Sequence, residues 1–187
     1  MARFLSVILF LLVTVSCSDI FSTRDPENPD GNNEGVYNET AEDLVISFKT
    51  SLLTLDLYRY ESLFLNLPDH EDSYTFISQA SDVEQSRFYE WNIENEKYFI
   101  TGIKNDSIGF SEIELSYDIP GETSESVELN VDYRMNVTKG ETSYEIKGTF
   151  IFDLIKINSL FWYIRTWTDV SSSGNKSFSS LKEPYAY

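Results

Sequence analysis

The chain of 187 residues has one cysteine, one histidine and few cations: 14 Lys and Arg stand against 31 Asp and Glu, for a net charge of −17. Each shortage excludes something. One cysteine cannot close an internal disulfide, and it leaves no Cys-based zinc site. The single histidine, His70, sits between carboxylates in "PDHEDS". Without a second soft ligand it makes no strong metal site, and it reads as part of an acidic surface loop. Without a basic stripe there is nothing to release counterions from a phosphate backbone, so nucleic acid is set aside. Anionic lipid headgroups likewise offer the folded part no attraction. The long apolar run, Phe4 to Val15, has 12 residues, short of the ~20 that span a bilayer. No glycine-rich phosphate loop and no nucleophile elbow occurs, and no cofactor or metal is expected.

Aromatics are plentiful, with 13 Phe, 12 Tyr and 3 Trp. Such a chain buries a core, and its length allows one domain with flanking segments. The amino terminus reads as a secretory signal: Arg3, then the apolar run, then Ser16 and Cys17. Thr14-Val15-Ser16-Cys17 resembles a bacterial lipobox, with Thr14 in the place usually held by Leu. The resemblance implies removal of residues 1–16 and lipidation of the Cys17 thiol. Several acyl chains, at ~0.8 kcal/mol per buried methylene, make such an anchor effectively permanent. Ser18 after the cysteine, where enterobacterial-type lipoproteins kept at the inner membrane carry Asp, points by analogy to the outer membrane of a bacterial cell envelope. Residues 17–36 are rich in Asp, Glu, Asn, Pro and Gly, with Pro26 and Pro29 breaking any helix. They read as a flexible acidic tether.

The domain, residues 37–172, opens with helices. Thr40 and Asp43 form a capping pattern, and Leu44, Val45, Phe48, Leu52 and Leu55 fall at helical spacing. Asp56 caps a shorter second helix carrying Tyr60, Phe64 and Leu67 and ending before Pro68. "SYTFISQ" is a short strand. Asn92 caps a third helix, whose Glu94 and Glu96 suit its positive end. The period then becomes two. Ile113, Leu115 and Tyr117 mark one strand. Val127 to Val137 alternate apolar and polar on the next, and Tyr144 to Phe152 on a third. A turn at Asn158-Ser159 leads into "FWYIRTWTDV". Helices first and strands after predict an α+β domain with helices against one face of a curved antiparallel sheet. Residues 173–187 form a C-terminal tail, with Phe178, Leu181 and Tyr185 pinning it partly onto the domain.

This order, with "AEDLVISFKTSLLTLDLYRYESLF", the Trp-led "WNIENE" and "FWYIRTWTDV" followed by "SFSSLK", resembles the nuclear transport factor two-like cone. That cystatin-like architecture is shared with ketosteroid isomerase, SnoaL-like cyclases and scytalone dehydratase. The last pattern is similar to the ending of uncharacterised bacterial lipoproteins of this fold. The resemblance implies a cavity between the first helix and the concave sheet, and family members often pair through the sheet. It does not carry an activity.

Isomerase chemistry needs a carboxyl of raised pKa in an apolar pocket and a donor for the enolate. The enzymes' tyrosine on the first helix is missing here, where Phe48 and Leu52 point inward. With Tyr133, these are the candidate pocket residues. Tyr133 and Asp153 are the only catalytic candidates, and Asp153 has the parity of the polar face unless a bulge intervenes. No inward acid is evident, so a non-catalytic module binding a small apolar ligand or a protein is expected. An envelope enzyme of the cyclase or isomerase type is the alternative. By strict alternation Trp162 and Ile164 share one side of the last strand, while Phe161, Tyr163 and Trp167 share the other. An apolar patch there would suit a partner or a homodimer.

Overall fold

A computed structural model describes residues 37–68, 70–119 and 125–186. The signal, Cys17 and the whole tether lie outside the described residues. Helix α1 runs Ala41–Thr54 behind a full capping box, in which Thr40 and Asp43 satisfy each other's backbone N–H. Its end is set by Leu55 in the left-handed region, φ 50°, and Asp56 then caps α2, Leu57–Glu61. The second helix stops sooner than its apolar period predicts. Backbone pairing is the reason: Leu63 and Leu65 exchange hydrogen bonds with Ile164, and Phe64 forms a parallel bridge to it.

Strand β1, Thr75–Ser78, and a 3-10 turn at Gln85–Phe88 precede α3, Ile93–Asn105, capped by Asn92. Four long strands follow: β2 Ile108–Tyr117, β3 Ser126–Lys139, β4 Thr142–Ile157 and β5 Phe161–Val170. They form one sheet in the order β1-β5-β4-β3-β2. The pairs are antiparallel except for β1, which lies parallel to β5. The β4–β5 turn uses positive φ at both Asn158 and Ser159, the mirror-image turn that matches strand twist. The fold is therefore the α+β cone, with Leu129, Val131, Tyr133, Met135 and Val137 of β3 all buried on the inner face.

A bulge corrects the simple alternation on β5. Asp153 pairs with Thr166 but Leu154 pairs with Ile164, so Arg165 is the extra residue. Before it, Trp162 and Ile164 face inward; after it, Trp167 and Asp169 do. Trp167 is thus core, and the outer apolar patch shrinks to Phe161 and Tyr163, with Tyr37 lying 5.2 Å from the Phe161 ring.

Residues 173–186 enter the core more deeply than a pinned tail does. Ser177 caps a short helix α4, Phe178–Lys182, which runs into a 3-10 turn at Glu183–Tyr185. Phe178 packs on Phe99 of α3 and on Tyr133, Phe150 and Trp167 of the sheet, at 5.1–6.5 Å between ring centroids. The segment lies between α3 and the sheet. Gly148 admits Tyr133 close by: a Cβ there would stand 2.7 Å from the Tyr133 hydroxyl.

Candidate functional site

Helical spacing brings two charges onto apolar faces. Glu96 shares its stripe of α3 with Phe99, Ile100 and Ile103, at intervals of three, four and seven residues. Lys182 stands four residues after Phe178 and three before Tyr185 in the tail. Packing α3 against α4 therefore buries both groups completely. A buried charge needs partners, and Glu96 has four. Its Oε1 accepts from Lys182 Nζ at 2.5 Å, the Tyr74 hydroxyl at 2.5 Å and Trp91 Nε1 at 2.8 Å. Its Oε2 accepts from the Tyr60 hydroxyl at 2.7 Å. The Lys182 ammonium also lies 3.7 Å from the Phe76 ring centroid and 3.8 Å from that of Trp167, with Trp91 at 5.1 Å. These are cation–π distances.

A second buried carboxylate, Asp169, is brought in by the β5 bulge. Its Oδ1 accepts from the Tyr133 hydroxyl at 2.8 Å, and its Oδ2 accepts from the Ser179 N–H and Oγ, each at 2.6 Å. Tyr133 in turn accepts from the Phe178 N–H at 2.8 Å, and Ser177 Oγ accepts from the Ser180 N–H at 3.0 Å. Three orphan amides at the start of α4 are thereby satisfied by the sheet and the cap.

Burial dominates the electrostatics. It raises the Asp169 carboxyl, against the opposing hydrogen bonds from Ser179 and Tyr133. It pushes the Tyr60 and Tyr74 hydroxyls well up, with the Glu96 charge adding to the effect. Tyr133 is likewise raised, by burial first and Asp169 second. Lys182 is lowered to about 8 by burial, although Glu96 pulls the other way. The folded state therefore releases this proton before the unfolded state, whose lysine titrates near 10.5. Between those values the unfolded chain holds more protons, and stability attributable to Lys182 rises with pH. Urea titrations at a series of pH values should show wild type gaining ~1–3 kcal/mol on Lys182→Met between pH 7.5 and 10. The difference from the variant cancels the tyrosines, whose raised values act in the opposite direction.

The sequence candidates divide. Phe48, Leu52 and Tyr133 are all buried, the first two on α1 and Tyr133 on β3 beneath α4. Phe48 meets Tyr60, Phe150, Phe152 and Trp167 within 5.2–6.3 Å. Asp153 is on the outer face, in an ion pair with Arg165 at 2.8 Å, and Arg165 also reaches Asp72 at 3.2 Å. Tyr133 and Asp153 are thus not brought together. The expectation that no acid points inward is overturned by Glu96 and Asp169. Glu96 was legible from its interval to Phe99 and Ile103; its place near a helix start masked that. His70 stays in its loop, its Nδ1 accepting from the Asp72 N–H at 3.2 Å. Among the described residues no three His, Cys, Asp or Glu side chains converge to hold a metal, and no helix is long and apolar enough to cross a membrane.

A carboxylate beside a tyrosine hydroxyl is suited to moving a proton at an acidic carbon. Here both carboxylates are saturated by donors and covered by the tail. A cleft of about 620 Å³ opens instead beside outward-facing Glu114, Asp132, Arg134, Lys147 and Thr149.

The architecture is that of the nuclear transport factor two-like proteins. A ketosteroid isomerase-like protein from Erwinia carotovora atroseptica superposes with a TM-score of 0.52 at 10% identity, over 77% of this chain and 99% of that one. A nuclear transport factor two-like protein from Cytophaga hutchinsonii gives 0.52 at 14% identity, over 70% and 94%. One of unknown function in nutrient uptake from Rhodospirillum rubrum gives 0.52 at 10%, over 71% and 98%. No family model and no curated protein sequence matches the chain. These likenesses establish the fold.

Proposed function

We propose that the protein is a lipid-anchored, non-catalytic binding module of the bacterial cell envelope, held through Cys17 at the outer membrane. The observation that carries the non-catalytic reading is the filling of the cone. Phe178, Leu181 and Lys182 are buried in the interior between α3 and the sheet, and the donors around Glu96 and Asp169 already have partners. The anchor rests on the apolar run and on Thr14-Val15-Ser16-Cys17. Its test is mass spectrometry of the protein extracted from membranes: a diacylglyceryl-modified, N-acylated Cys17 is the expected amino terminus. An unmodified thiol, or a start elsewhere, removes the anchor from the reading. The outer sheet face, with Phe161 and Tyr163, is the surface for a protein partner or a second copy.

One observation favours the enzymatic alternative. Asp169–Tyr133 and Glu96–Tyr74 are carboxylate–phenol pairs in an apolar interior. An isomerase or cyclase would use these and not Asp153. Turnover of a ketosteroid-type substrate, lost in Asp169→Asn and in Glu96→Gln, would establish it.

A further inference from the structure

We infer that the interior beside Glu96 is a binding site for a primary alkylammonium group, and that Lys182 occupies it as an intramolecular ligand. The inference deepens the binding-module reading by naming a ligand class, and rests on it to that extent.

The receptor half of the site lies outside the tail. Glu96 and Phe99 come from α3, Phe76 from β1, Trp91 from the residues before α3, and Trp167 from β5. Three neutral donors, Tyr60, Tyr74 and Trp91, already fix the carboxylate. The carboxylate and its aromatic walls are therefore set without Lys182. From the tail come only the cation and the ring of Phe178, 5.6 Å from that cation. A buried ion pair is a poor means of stabilising a core, because a well-packed apolar pair does as well or better. A carboxylate under aromatic faces is, in contrast, an effective means of selecting a cation.

The geometry also selects the kind of cation. The nitrogen approaches Glu96 to 2.5 Å while lying under 4 Å from two ring centroids. A primary ammonium has hydrogens for the carboxylate and for the rings. A quaternary ammonium has none, and its methyl groups hold it away from the oxygen. A neutral hydroxyl of the same length can donate to Glu96 but carries no charge for it.

An opening of the tail would turn on one segment. The segment joining β5 to α4, residues 171–177, contains exposed Ser172, Ser173 and Gly174, the last at φ 92°. It is short, and α4 has five residues. A competing amine is expected to bind the form in which α4 has swung out.

Lys182→Ala in the full chain removes the equivalent of n-propylammonium. Calorimetry should show that ion binding this variant roughly tenfold more tightly than 1-propanol. It should raise the variant's Tm, while tetramethylammonium does neither. Lys182→Met, whose side chain refills the space, should bind that ion more weakly than Lys182→Ala does. In wild type, hydrogen exchange at Ser179–Lys182 should accelerate about elevenfold at an n-butylammonium concentration ten times the dissociation constant of the open form, since the open population grows with ligand by mass action. The β3 amides should be unaffected. A lysine-bearing tripeptide in the same assay distinguishes a peptide source of the amine from a free one. Equal binding of 1-propanol and n-propylammonium overturns the inference. So does unchanged exchange in wild type, which needs no variant to fold. Neither result touches lipidation of Cys17, which the mass of the amino terminus decides separately.

Discussion

Deleting residues 173–187 is expected to lower stability by about 5–8 kcal/mol, by loss of the buried Phe178, Leu181 and Tyr185 side chains. For a domain of this size that is a fall in Tm of ~15–25 °C. Tertiary order should weaken throughout, because Phe178 touches α3 and four strands of the sheet together. Stopping the chain before Glu183 is the informative comparison. It removes Tyr185 and its 2.8 Å bond to Asp106 but leaves α4. Its cost is expected to be ~2–3 kcal/mol. Thermal and urea unfolding of the two truncations separate a core element from a surface strap. Equal, small losses would show that α4 contributes little to the interior.

Glu96→Ala is expected to cost about 3–5 kcal/mol, the usual penalty for stranding a buried charge. Four donors lose their acceptor at once: the ammonium of Lys182, two tyrosine hydroxyls and an indole N–H. The sharper result comes from the pair. In wild type, Lys182→Met leaves a carboxylate still held by three neutral donors and should be mildly destabilising. In the Glu96→Ala background the same change removes an unpaired buried cation and should raise the Tm. A change of sign between the two backgrounds is the signature of direct coupling. Additive effects would mean that the two side chains do not depend on each other.

The parts legible in the sequence were those set by local periodicity. Thr40 with Asp43, Asp56 and Asn92 cap the helices as their residue types require. The alternation from Val127 to Val137 places β3 correctly on both faces. What alternation cannot carry is an inserted residue. Arg165 shifts the parity of β5, so Trp167 and Asp169 turn inward against the simple count. Phe64 leaves its helical period because the backbone bonds of its neighbours Leu63 and Leu65 to Ile164 outweigh local propensity. Glu96 and Lys182 were present in the apolar intervals of their own helices. Charge alone argued for solvent, and only the meeting of the two elements reverses that. Fold was therefore more legible than site: a fold is written in local spacing, and this site is written in a contact across 86 residues of chain.

The interruption at Arg165 also divides what lies beside β5. On one side of it the strand is flanked by Leu63–Leu65, on the other by Thr75–Ser78. Two short pieces thus cover an edge that a single long strand would leave as a template. A row of free amides is where chains stick to one another irreversibly. The opposite margin, β2, is guarded differently, by exposed Glu112 and Glu114. Both borders of the sheet are in this way made poor templates for fibril growth, one by the shortness of its pieces and one by charge.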